Sequence, residues 1–117
     1  MIVIVCGGRD FADYPYVKGT LACVHAIYPI TQIVQGGARG ADALARRWAT
    51  EVGIEVRTFE PDWTRYGKSA GPMRNRQMAD EAGAELCIAF TGGAGTANMI
   101  DEAKRVKMRV LDLNEDQ

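Results

Sequence analysis

The chain has 117 residues, 47% of them hydrophobic, and a formal net charge of −1. That length suits one domain around one core and leaves no room for a second. The missing basic field argues against duplex nucleic acid held through its phosphates. No apolar run approaches membrane-spanning length, and Met1 leads into IVIVC without a basic segment or a small-residue cleavage site, so a cytoplasmic protein without membrane contact is expected.

The opening MIVIVC is a β-branched run without alternation, as expected of a strand buried on both faces of a parallel sheet; Gly7 and Gly8 end it. Asp13 suits an N-cap and Pro15 a first helical turn, and Val17, Leu21, Val24 and Tyr28 then recur at helical spacing up to Pro29. QIVQ reads as a second strand before Gly36 and Gly37. From Ala41, the residues Leu44, Ala45, Trp48, Ala49 and Val52 hold one apolar stripe up to Gly53, with Trp48 directed to the core. IEVRTF is a third strand, EPDWTRYGKSAG a loop, and Pro72 opens a helix reaching Ala82 before Gly83. ELCIAF is a fourth strand. A helix over 96–106 turns Met99, Ile100, Ala103 and Val106 inward, RVLDL closes as a fifth strand, and the tail NEDQ is expected to fray. Cys6, Cys23 and Cys87 are odd in number, lack CxxC spacing and sit in apolar stretches, which predicts buried reduced thiols and no metal site.

Strands alternating with helices predict a three-layer α/β/α Rossmann-like sandwich on a five-stranded parallel sheet, order 3-2-1-4-5. Three glycine loops, CGGRDF, QGGARGAD and FTGGAGT, then converge at the switch point where open α/β sheets bind ligands. Gly7, Gly8, Gly36, Gly37, Gly40, Thr91, Gly92, Gly93, Gly95 and Thr96 become candidates for a phosphate cradle. Glycine permits close backbone approach, and helices starting near Gly40 and Thr96 supply N–H groups. Arg9 and Arg39 can fork onto phosphate oxygens. Asp10 and Asp42 suit ribose hydroxyls, although Asp42 is equally suited to its own helix N-terminus. In DWTRYGKSAGPMRNR, Trp63 and Tyr66 can stack a base while Lys68 and Arg74, with Asn75 beside it, hold the anion. His25 has no Ser or Cys partner for a triad.

Neither GGARGAD nor GGAGTAN has the GK[ST] ending of a P-loop, and Gly93, Gly95 and Asn98 complete GxGxxG only with Asn in the last place. The motifs GGRDF, GGARGAD, DW..YG..AGP.RN..M and GG.GT..M, in that order, resemble the LOG-like or SLOG superfamily (Smf/DprA-like) of Rossmann-like nucleotide-binding proteins, and within it the short stand-alone YspA-type domains. The resemblance spans nearly the whole chain. It implies a nucleotide ligand and, in the hydrolases of that superfamily, cleavage of nucleoside monophosphates to base and ribose phosphate. Those enzymes carry a glutamate in GGxGTxxE, where this chain has Met99, which can neither activate water nor stabilise an oxocarbenium-like charge. The expectation is therefore a binding module for a nucleotide derivative, ADP-ribose-like or NAD-derived, acting as sensor or sequestering protein without a cofactor, with self-association open. Phosphoribohydrolase activity is the second reading and single-stranded nucleic acid binding the third.

Overall fold

The computed structural model describes residues 1–114. Five parallel strands, β1 (Ile2–Cys6), β2 (Gln32–Gln35), β3 (Glu55–Thr58), β4 (Leu86–Ala89) and β5 (Arg109–Asp112), form one sheet in the order β3-β2-β1-β4-β5. The helices are α1 (Tyr14–Ile27), α2 (Ala41–Val52), α3 (Trp63–Tyr66), α4 (Ala70–Glu81) and α5 (Ala94–Arg105). The predicted fold class and strand order are those observed. No helix among the described residues is long and apolar enough to cross a membrane.

Alternation along β1 explains the three layers. Val3 and Val5 face α1 and α2, where Val17, Leu21, Ala45 and Trp48 close the first core. Ile4 and Cys6 face α4 and α5, where Met78, Met99, Ile100 and Ala103 close the second. A strand that feeds both cores must be apolar at consecutive positions, which is why MIVIVC shows no period of two. Trp48 is 2% exposed and meets the His25 ring edge-on, at 5.8 Å between centroids. His25 accepts from the Ile30 N–H at 2.8 Å and thereby holds the chain as it leaves α1.

Several boundaries differ from the sequence reading. The segment read as a loop over 60–71 contains α3, capped by Asp62 accepting from the Arg65 N–H at 3.1 Å, and a 3-10 turn over Gly67–Ser69. The following helix starts at Ala70, before Pro72, and α5 starts at Ala94 rather than Thr96. Cys23 is exposed, contrary to expectation, because it lies two residues, roughly 200°, round α1 from the buried Leu21. Tyr28 and Val52 are likewise exposed, since each falls where its helix ends and leaves the sheet. Asn114 does not fray: its backbone and side-chain N–H groups donate to Asp112 Oδ1 at 3.0 and 2.7 Å. The rest of the tail, 115–117, lies outside the described residues.

Candidate functional site

Winding reverses between β1 and β4, so the chain leaves these two neighbouring strands toward opposite faces and a crevice opens past their C-terminal ends. A cavity of about 550 Å³ lies there. Gly7, Gly8 and Arg9 from the β1 loop, Asp42 from α2, Trp63 from α3, Arg74 and Asn75 from α4, and Gly93, Gly95 and Thr96 from the β4 loop and α5 all line it. Val5, Cys6, Met78 and Met99 supply apolar lining. Ala38, Gly71, Pro72, Ala94 and Asn98 complete the wall. None of these nine was a candidate site residue, although Ala38, Gly71, Pro72, Ala94, Asn98 and Met99 stand within the motifs quoted above. Helical register, i to i+4 from Arg74 to Met78 and from Gly95 to Met99, was a further signal that could have found part of them.

The three glycine loops have different physical reasons. In the β2 loop, the Gly36 and Ala38 N–H groups donate to Asp42 Oδ2 at 3.1 and 3.2 Å, and the Gly37 N–H donates to Gln35 Oε1 at 2.7 Å. Gln35 is fully buried and its amide nitrogen donates to Thr58 on β3. Arg74 Nη1 donates to the Gly36 carbonyl, and a Cβ on Gly36 would overlap that guanidinium. The N–H groups of Gly36, Gly37 and Ala38 are thus already claimed by the protein. Gly36 and Gly37 lie outside the cavity lining. Gly40 also lies outside; it packs so closely on the β1 loop that a Cβ would meet the Gly8 carbonyl, which accepts from Ala41 N at 3.2 Å.

The β4 loop is pinned at its start and open at its end. Thr91 accepts from the Gly8 N–H at 2.9 Å, and the Gly92 N–H donates to Asn114 Oδ1 at 2.9 Å. A Cβ at Gly92 would come within 2.7 Å of Gly8 N. Thr91 and Gly92 therefore hold the loop to β1 and β5 and do not line the cavity. Beyond them, the N–H groups of Gly93, Ala94, Gly95 and Thr96 have no acceptor among the described residues, and α5 has no side-chain cap. A Cβ at Gly93 or Gly95 would meet nothing within 4 Å, and neither residue needs a left-handed backbone. Their lack of side chains answers no internal packing demand, and it leaves the positive end of α5 bare toward the cavity.

The charged groups divide in the same way. Asp42 is 6% exposed, and burial raises its pKa despite the Ala38 N–H and nearby Arg74 that favour the anion. Burial lowers the Arg74 pKa in turn, opposed by Asp42. Arg74 Nε also donates to Asn75 Oδ1 at 2.9 Å, so part of its fork serves the protein. Arg9 is the exposed cation on the cavity, its guanidinium 5.5 Å from the centroid of the Trp63 ring. Asp10 and Arg39 pair with each other at 3.6 Å on the open surface, and Tyr66 and Lys68 sit exposed on α3 and the 3-10 turn; these four do not line the cavity. Cys6 and Cys87 approach to 3.9 Å between sulfurs, and that contact together with burial raises the Cys6 pKa.

A model of the YspA, cpYpsA-related SLOG family (YAcAr) matches residues 1–66, which carry the β1 and β2 loops and Trp63. The Gene 61 protein of Mycobacterium phage D29 is 36% identical, with 97% of this chain and 96% of that protein aligned. That alignment takes in the α4–α5 half of the cavity as well. The family model covers more than half of the chain, and the chain belongs to the YspA, cpYpsA-related SLOG family.

Proposed function

We propose that the cavity binds a nucleotide derivative of the ADP-ribose-like or NAD-derived kind, and that the protein acts as a sensor or sequestering module for it. The observation that carries this reading is the start of α5: consecutive unclaimed N–H groups beside two glycines whose missing side chains no packing contact requires. A phosphate there would receive backbone hydrogen bonds and the positive end of a helix dipole. Arg9 would add a charged donor, and Trp63, 47% exposed, would offer a ring face to the base. The apolar lining from Val5, Met78 and Met99 suits the ligand body. Membership of the SLOG family supports a nucleotide as the ligand class.

No carboxylate stands at position 99, and the one that lines the cavity, Asp42, already accepts two backbone hydrogen bonds. Binding without hydrolysis is therefore the favoured reading. Calorimetric titration with AMP, ADP, ADP-ribose and NAD tests it, with chromatography of the mixtures for free base. Saturable binding of at least one of them without base release is expected. Failure of the whole panel to bind would overturn the proposal, and steady release of adenine from AMP would replace it with a phosphoribohydrolase.

A further inference from the structure

A helix that opens Ala94-Gly95-Thr96 without a side-chain cap is poorly held by its own chemistry. Glycine in a helix is less favourable than alanine by roughly 1 kcal/mol, and a Ser, Thr, Asp or Asn cap contributes a similar amount where it is present. Such a cap would also occupy the N–H groups that the proposed anion needs. Something other than α5 must then fix its first turn, and the neighbouring helix supplies it. Asn75 on α4 is 4% exposed, and both its amide nitrogen and its amide oxygen are hydrogen-bonded. Its Nδ2 donates to the Gly95 carbonyl at 3.3 Å and to Asn98 Oδ1 at 2.9 Å, while its Oδ1 accepts from Arg74 Nε at 2.9 Å. Arg74 can only donate and a carbonyl can only accept, so the orientation of the Asn75 amide is forced by its partners.

We propose that Asn75 is a positioning residue of the anion site: it holds the first turn of α5 from the side, so that the N–H groups of that turn stay free and aimed as a preformed cradle. The same bond fixes Asn98. With its Oδ1 taken by Asn75, Asn98 keeps an amide donor on the cavity wall and adds a second kind of N–H to the cradle. Because Arg74 also donates to the Gly36 carbonyl, the start of α5 is tied through α4 to the closed β2 loop. Asn75 thus acts on the ligand through Gly95 and Asn98.

This inference rests on the binding proposed above, and its test has an arm that needs no ligand. Amide hydrogen exchange is measured on wild type, Asn75→Ala and Asn75→Asp; the Asp variant keeps the shape and the Arg74 bond but turns both donors into acceptors. Losing two hydrogen bonds should speed exchange at Ala97 and Asn98, in the first turn of α5, by about tenfold or more, with β1, β4 and α2 unchanged. Exchange that rises evenly over the whole protein, or does not change at α5, would overturn the proposal whether or not any nucleotide binds. The second arm compares AMP with adenosine as probes. Both variants should weaken AMP about tenfold and adenosine little, and neither should weaken AMP further once Gly93→Val has closed the cradle. Equal losses for AMP and adenosine would also overturn it. If wild type binds no member of the nucleotide panel, the binding proposal fails, and the exchange arm still decides the role of Asn75.

Discussion

Adjacent glycines that serve different masters make the sharpest test of the site. Gly93 is the N-cap of α5 with φ −103° and ψ −140°, outside the left-handed region, and a Cβ there would meet nothing within 4 Å. A stiffer unfolded chain favours valine by about 0.4–1 kcal/mol, while its poorer N-capping and a ψ outside the α and β wells of L-residues oppose it, so Gly93→Val should fold but melt below wild type. Binding should respond differently. The branched side chain would fill the space a phosphate must enter to reach the N–H groups of Gly95 and Thr96. Hydrogen bonds to a charged group contribute about 1.5–3 kcal/mol each, so losing two weakens the complex by at least about a hundredfold. At Gly92 the reverse holds, because a Cβ would press to 2.7 Å from Gly8 N, and Gly92→Val should destabilise the fold itself. Thermal unfolding and calorimetry on the two variants read both effects. A folded Gly93→Val protein with undiminished affinity for the nucleotide that wild type binds would refute the reasoning.

Three further outcomes are expected. Wild type should release no detectable adenine from AMP by chromatography, and Met99→Glu, which places a carboxylate at a fully buried position, should lower the melting temperature measurably. The pKa of Asp42 is raised in the folded state, chiefly by burial, so folding takes up a proton in the interval from the ordinary carboxylate range up to that raised value, and the Asp42 contribution to stability falls as pH rises through it. Asp42→Asn, which keeps an acceptor for the Gly36 and Ala38 N–H groups, should remove that fall, gaining on wild type in melting temperature as pH rises from about 4 to 7; a parallel pH dependence of the two proteins would contradict the burial argument. Trp63 is the exposed tryptophan and Trp48 the buried one, so iodide should quench mainly the Trp63 emission, and bound AMP or ADP-ribose should protect it; quenching unaffected by a saturating nucleotide would remove Trp63 from the site.

Much of this architecture could be read from residues alone because its signals are local. Unalternating apolar strands, a glycine pair after β1, β2 and β4, and the apolar stripe through Ala45, Trp48 and Ala49 fix a parallel sheet and its switch point without long-range information. The short α3 was not legible, since a four-residue helix has no periodicity and its single signal, Asp62 ahead of Trp63, resembles any turn. The glycine loops were legible as a group but not by their separate reasons. GGARGAD and GGAGTAN look alike on the page. What closes the first is a set of partners distant in sequence: Gln35 braced by Thr58, Asp42 returning to Gly36, and Arg74 reaching the Gly36 carbonyl from 38 residues away. Arg74 illustrates the limit best. Its charge and its place near a helix start suggested a hand for phosphate, whereas two of its donors already serve Gly36 and Asn75, a fact that only the packing of α4 reveals.

Backbone amide resonances followed while ADP-ribose and, separately, AMP are titrated in would report whether the open start of α5 is an anion cradle within a nucleotide site. Saturable shifts are expected at Gly93, Ala94, Gly95 and Thr96, with Gly8, Arg9 and the Trp63 indole moving alongside and the closed Gly36–Ala38 loop moving least. Saturable shifts centred on that closed loop or on the outer face of α1, with the start of α5 unmoved, would contradict it.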